Sequence, residues 1–188
     1  MYDKVFSDFE VDRLGFKIGE AEAYREIECV GSIEEEMEAR VITKKCRGIV
    51  RKTRTKGTGR GKLKISAHLP WEVFVNAHGM VLPSLKEGIY AYGENSVHPT
   101  ISVTAHVTDE DGVEKLKAYP NGMITTGITR KIENGGTEVA EMNLEIDISP
   151  DEFGNGVYET ILSGDSSIGI SVEDWMTTFE PDMAQAVV

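Results

Sequence analysis

The chain has 188 residues, is 40% hydrophobic, and carries 20 Lys and Arg against 32 Asp and Glu, a net charge of −12. That length supports one good core and predicts a single domain over residues 1–188, while the acidity argues against a surface that binds nucleic acid throughout. Cys29 and Cys46 are too few for a disulfide framework or a zinc site and fit a reducing cytoplasm. No apolar run reaches roughly 18 residues and no basic-then-apolar leader opens the chain, so neither a membrane span nor a signal peptide is expected.

Period-two alternation dominates from the first third onward. Arg25 to Val30, Met37 to Thr43 and Gly48 to Thr53 are weak strand candidates; Ser32-Ile33-Glu34-Glu35 matches a helix start, but the Met37–Thr43 stretch after it reads better as strand. Leu63, Ile65 and Ala67 alternate with Lys62, Lys64, Ser66 and His68, a half-buried strand. One helix follows: Pro70 suits a first helical residue, Gly79 suits the left-handed cap, and Trp71, Phe74, Val75 and His78 share a stripe. Gly88 to Tyr92 is a weak strand. Ile101, Val103, Ala105 and Val107 form a clear one, Met123 to Ile132 a weak one, and Met142, Leu144, Ile146 and Ile148 another clear one.

Turn signals separate these runs at Lys56-Gly57-Thr58-Gly59, Asp111-Gly112, Asn121-Gly122 and Asn134-Gly135-Gly136, the last predicting a hairpin. Ser149-Pro150-Asp151-Glu152 predicts a helix of a turn or two. The tail from about 163 to 188 shows little periodicity and is expected to be irregular. The fold class is therefore mainly β: an antiparallel sandwich or partly open barrel with one flanking helix.

Charge is split along the chain. From Lys44 to Trp71 there are ten Lys or Arg and no Asp or Glu, leaving 10 basic and 32 acidic residues elsewhere, so a +10 arm sits on a −22 body. One molecule's arm can dock on another's body, which points to assembly. The arm, about residues 44–64, is a long basic hairpin with Gly57, Gly59 and Gly61 supplying flexibility at its tip. Between Arg47 and Lys64 it has no aromatic residue to stack on bases, which favours protein contact over single-stranded nucleic acid.

Catalytic signatures are absent from the sequence. Gly57-Thr-Gly-Arg-Gly-Lys62 is one residue short of a phosphate loop, has Leu63 in place of the hydroxyl residue, and precedes a strand. His68, His78, His98 and His106 show no metal spacing, and Asp109-Glu-Asp-Gly112 reads as a hairpin turn without the later ligands of a calcium loop. Glu141, Glu145 and Asp147 line one strand face, where acid–base chemistry would need convergence with a second element. No metal or cofactor is expected, and no enzyme activity.

Lys56-Gly-Thr-Gly-Arg-Gly-Lys-Leu-Lys-Ile-Ser-Ala-His-Leu-Pro-Trp-Glu-Val-Phe-Val-Asn-Ala-His-Gly-Met80 resembles the Gly-rich turn, strand, Pro-led helix and Gly-Met ending of phage major tail proteins, the tail tube proteins of long-tailed (siphovirus-type) phages of Gram-positive bacteria. Lys115 to Asn121, Arg130 to Gly136 and Ile148 to Gly156 continue the resemblance in the same order. It implies a tail-tube-like β fold whose homohexameric rings stack into a hollow tube that conducts double-stranded DNA during ejection without specific binding. Implied partners are further copies and other tail proteins (tape measure, tail terminator, tail tip). The implied location is the virion tail, reached from the host cytoplasm, with no membrane.

On that reading, an acidic wall keeps a duplex mobile because each cationic phosphate contact would add binding. Glu141, Glu145 and Asp147 are then lumen candidates, with an outward solvent face as the alternative. Arg47, Arg51, Lys52, Arg54, Lys56 and Arg60 of the arm are expected at ring-to-ring contacts. Trp71, Phe74 and Val75 are expected to pack on Met142, Leu144 and Ile146. The alternatives are a tube protein of a secretion or bacteriocin-like injection device, and a DNA-binding β-domain that uses the arm.

Overall fold

Among the described residues, alternating apolar and polar side chains build eight strands, joined into one antiparallel sheet. The structure, a computed structural model, describes residues 5–20, 23–130, 132, 134, 139, 141–162 and 169–186. The strands are β1 (Glu10–Ile18), β2 (Arg25–Ile27), β3 (Val30–Cys46), β4 (Ile49–Ala67), β5 (Thr100–Thr108), β6 (Glu114–Ile124), β7 (Met142–Ile148) and β8 (Tyr158–Leu162). Helix α1 (Trp71–Ala77) follows β4, and α2 (Val172–Thr178) with a 3-10 turn (Pro181–Ala184) follows β8.

The sheet runs β2-β1-β5-β6-β7-β4-β3. β6 pairs with β5 along one edge; its other edge serves β8 through Glu114–Ala118 and β7 through Gly122–Ile124. The sheet curls until β3 lies beside β1, with no pairing register between them among the described residues. This is the partly open barrel of the two expected architectures.

Two apolar clusters hold it. The larger takes Leu14 and Phe16 of β1, Leu63 and Ile65 of β4, Val103 and Ala105 of β5, Leu144, Ile146 and Ile148 of β7, and Val73, Phe74, Val75 and Ala77 of α1. The smaller packs Leu116 and Ala118 of β6 and Tyr24 against Trp175, Met176 and Phe179. β5 and β6 are covered on both faces, so their alternation is not polar-out. Thr104 meets this by donating its hydroxyl to the Met176 carbonyl at 3.1 Å.

The tail expected to be irregular is thus half of the second cluster. Ser171 caps α2 by accepting from the Asp174 amide at 3.0 Å, and Ile170 and Trp175 flank the cap within one apolar cluster, the arrangement of a hydrophobic staple. Seven residues are too few to display a helical period. α1 starts one residue later than expected, with Pro70 as its N-cap, and Gly79 takes a φ of 59° just past its end.

Other expectations differ. Ser149–Glu152 forms no helix: the Asp151 carboxylate accepts from the amides of Phe153 (3.0 Å) and Asn155 (2.9 Å), which holds a turn instead. Asn121-Gly122 lies inside β6 rather than in a turn, where the Asn121 carbonyl accepts from the Ser149 amide at 2.8 Å. Gly88–Tyr92 is not a strand, and β6 ends at Ile124 instead of running to Ile132. Of the predicted turn at Asn134-Gly135-Gly136, the two glycines lie outside the described residues. Asp111-Gly112 is a turn as expected, with the Asp109 carboxylate accepting from Asp111 and Val113 amides.

Candidate assembly interface

β3 and β4 are far longer than the sheet that flanks them. β7 pairs with β4 only over Gly61–Ala67, so beyond the turn that packs on Gly59 the ribbon pairs with no further strand on that edge among the described residues, and every residue from 38 to 57 is exposed. From the Ala39–Gly57 pair to the Cys46–Ile49 pair the ribbon takes seven residue steps along β3, a free length of about 23 Å. Its tip is the two-residue turn Arg47-Gly48, with φ of 51° and 79°. Both positive values match a type I′ turn, whose twist suits a hairpin.

The sequence placed the tip at Gly57, Gly59 and Gly61; those residues lie within β4, near the ribbon's root. There β4 carries extra residues against β3, between Gly61 paired with Met37 and Gly57 paired with Ala39. The Thr58 hydroxyl bridges this bulge, donating to the Glu38 carbonyl and accepting from the Arg60 amide, both at 3.2 Å. Gly59 and Gly156 pack backbone to backbone: a Cβ on Gly156 would lie 2.1 Å from the Gly59 carbonyl oxygen. The glycines allow a tight clamp between the arm and the Asp151–Gly156 turn, not a flexible tip. That turn is fixed in part by Tyr158, whose hydroxyl donates to Asp151 at 2.6 Å.

The register sorts the arm into two faces. One carries Arg40 opposite Lys56, Ile42 opposite Arg54, and Lys44 opposite Lys52. The other carries Ala39 opposite Gly57, Val41 opposite Thr55, Thr43 opposite Thr53 and, past a bulge at Arg51, Lys45 opposite Val50. Of the predicted contact residues, Lys52, Arg54 and Lys56 therefore lie on the basic face, Arg51 at the bulge, Arg47 in the tip, and Arg60 at the root. Reading the arm from Lys44 onward missed Arg40, Val41, Ile42 and Thr43, which belong to the same ribbon. The signal was the short Arg47-Gly48 turn between two runs rich in β-branched residues.

The three lumen candidates fall on the wet face of the body. Glu145 lies across from Lys64, itself across from Glu34; Asp147 lies across from Lys62, itself across from Glu36. Each row is acid, base, acid, and Lys64 bonds Glu34 at 3.1 Å. Glu141 accepts from the Ser66 hydroxyl at 2.5 Å. The face is acidic but interleaved, a net of two negative charges over the two ladder rows.

Phe74, Val75, Leu144 and Ile146 are buried in one cluster, with Met142 packed at its margin. Trp71 sits outside it, 47% exposed, stacked on Phe74 (5.8 Å between centroids), edge-on to Tyr90, and covered by the Arg130 guanidinium. Val73, unremarked in the sequence, is buried in its place.

Two polar groups inside the body are structural. Lys117 bonds Glu35 at 2.6 Å and Glu159 at 2.9 Å, while Tyr119 donates to the same Glu35 oxygen at 2.6 Å. Burial would lower the Lys117 pKa, but the bonds to Glu159 and Glu35 outweigh it and hold it above the ordinary value. Burial and the Glu35 charge push the Tyr119 phenol upward, so it stays protonated. His78 is buried beside Phe74 and His98; burial lowers its pKa, and the carbonyl it bonds at 2.9 Å only partly opposes this. Among the described residues, no group of three or more His, Cys, Asp or Glu is placed to hold a metal ion, and no helix is long and apolar enough to cross a membrane. A groove of about 430 Å³ lies between Asp8–Val11 and Gly31–Ile33, where β1 and β3 part.

The sequence matches no family model and no curated protein. Among solved structures, the fold is similar to a chain from the tube-terminating cap of an anti-feeding prophage, at 11% identity and a TM-score of 0.43, over 85% of this chain and 97% of that one. It is also similar to a chain from the anti-feeding prophage baseplate, at 7% identity and a TM-score of 0.40, over 88% of this chain and 100% of that one. TM-scores of this size do not establish a common fold.

Proposed function

We propose that this chain is a non-enzymatic structural subunit of a viral tail tube, assembling as homohexameric rings that stack into a hollow conduit for double-stranded DNA. The observation that carries the reading is the arm: residues 38–57 hold eight basic residues and one acidic, leaving 12 basic and 31 acidic elsewhere. A +7 ribbon wholly exposed on a −19 body forms no ion pair with its own chain among the described residues. It is complementary to the body of another copy, and the Gly-rich, helix-bearing stretch 56–80 resembles tail tube proteins. The interleaved acidic face at Glu141, Glu145 and Asp147 suits a wall that does not retain phosphates. Rings of this kind would also serve a secretion or bacteriocin-like injection device, and the presence or absence of DNA in particles isolated from the host separates the two.

Electron microscopy of the purified, concentrated protein tests the reading. Rings or hollow tubes are expected, with a channel of at least about 20 Å, the width that B-form groove dimensions require. Replacing Arg51, Lys52 and Arg54 together with Glu lowers the ribbon from +7 to +1 and is expected to abolish stacking while the monomer stays folded. Intact tubes from that variant would remove the arm from the ring-to-ring contact. Loss of DNA affinity with no change in particle size would favour a DNA-binding domain instead.

A further inference from the structure

The arm's two faces are not equivalent, and the body dictates which is which. Along β3, Ile33, Glu35 and Met37 point to the barrel interior, while Glu34, Glu36 and Glu38 point to solvent. Continuing that alternation, Ala39, Val41 and Thr43 extend the interior face past the end of the core, and Arg40, Ile42 and Lys44 extend the wet face. On β4 the register places Gly57, Thr55 and Thr53 with the former and Lys56, Arg54 and Lys52 with the latter. The core-side surface of the sheet thus overshoots its own core by about 23 Å and carries small and β-branched uncharged residues there, with its cations, Lys45 and the bulge residue Arg51, confined to the tip. Val41 is 61% exposed and Val50 50% exposed.

We infer that a second copy of this chain covers the uncharged face of the ribbon, the face of Val41, Thr43, Thr53 and Thr55, and that the basic face stays at the wet margin of the contact. This rests on the assembly reading above and names the surface it uses. Three observations choose the occupant and the face. An isolated two-stranded ribbon is marginally stable in water, so a ribbon this long needs a cover. Its charge fits only a strongly acidic partner, and the chain's own −19 body is one. Seating the basic face would strip water from Arg40, Lys44, Lys52, Arg54 and Lys56 together, each needing a matched carboxylate to offset the cost. Seating the Val and Thr face desolvates no charge until Lys45 and Arg51 at the tip, and leaves the other cations at a rim where they steer and orient the encounter.

The size of the contact limits what one ribbon can hold, and the identity of its two surfaces sets its symmetry. One ribbon face, about 23 Å by 10 Å, offers on the order of 230 Å², well under the ~800 Å² per partner of a stable pair. The donor ribbon and the acceptor body are different surfaces, so the contact is head-to-tail and each copy gives and receives one ribbon.

A pair of variants separates this from a purely electrostatic contact. Thr43→Lys with Thr53→Lys adds two positive charges directly across from each other on the uncharged face; Ile42→Lys adds one on the basic face. All three sites are exposed, so thermal unfolding of each variant should match the parent. If the uncharged face is seated, the Thr double variant raises the concentration needed for assembly, followed by sedimentation and light scattering, by more than about tenfold, the scale of burying unpaired cations. Ile42→Lys should leave it within about twofold, as for a surface substitution. If charge alone holds the arm, both variants assemble as well as the parent or better, and the inference is wrong although the assembly reading stands. Loss with Ile42→Lys and tolerance of the Thr double variant would seat the basic face instead. A parent protein that stays monomeric at every concentration and salt overturns both.

Discussion

Arg47 is the one described non-glycine residue with positive φ, 51°, and it stands at the tip of the ribbon beside Gly48. A side chain in that region crowds its own carbonyl, at a cost of roughly 1 kcal/mol, and Asn tolerates it far better. Arg47→Asn should therefore tighten the turn by up to about 1 kcal/mol, seen as slower amide exchange at Cys46, Ile49 and Val50 with no change in global melting. Equal or faster exchange there would mean that the turn does not limit ribbon fraying. The retention of Arg at a position that favours Asn or Gly is itself informative. Its charge adds to a tip already carrying Lys44, Lys45, Arg51 and Lys52, so local stability is given up for a more basic end.

At the scale of elements, the sequence was most readable where one face is buried and the other wet. Leu63 to Ala67 and Met142 to Ile148 alternate cleanly and are half-buried strands as expected, whereas Ile101 to Val107 is a strand as expected but is buried on both faces. The ribbon was half readable: its charge stood out, but Lys56-Gly57-Thr58-Gly59 mimics a turn while serving as a bulge clamped by Gly156. The Asn121-Gly122 signal failed for a related reason, since a glycine also marks a close backbone approach inside a sheet. The tail was hidden by brevity, for a seven-residue helix shows its anchors only once packed. Trp175 is 3% exposed and donates its indole N–H to the Lys117 carbonyl at 3.1 Å. Trp175→Ala should cost about 3–5 kcal/mol, measured by denaturant unfolding. A loss below about 1 kcal/mol, the scale of a surface change, would mean that the second cluster adds little to the fold.

For the whole molecule, charge and area pull in different directions. A −19 body repels its own kind, whereas each +7 ribbon attracts a neighbour, and one ribbon face is too small to hold two molecules together. Two copies therefore gain one weak contact and bear the full repulsion between bodies. A single ring gains no ribbon contact, whereas each ring stacked on another gains one ribbon contact per member, all at once. The free energy of the first steps is accordingly unfavourable, and that of later additions favourable. Sedimentation velocity over a concentration series should then show monomer and large assemblies with no dimer, and a sharp critical concentration. Raised salt screens both terms: the repulsion acts over long distances and falls first, within a Debye length of ~8 Å at physiological ionic strength, whereas the seated Val and Thr face is unaffected. Moderate salt should consequently lower the critical concentration before high salt, by weakening ribbon steering, slows nucleation. A stable dimer, or a critical concentration that rises steadily from the lowest salt, would place the holding energy in the ion pairs and not in the uncharged face.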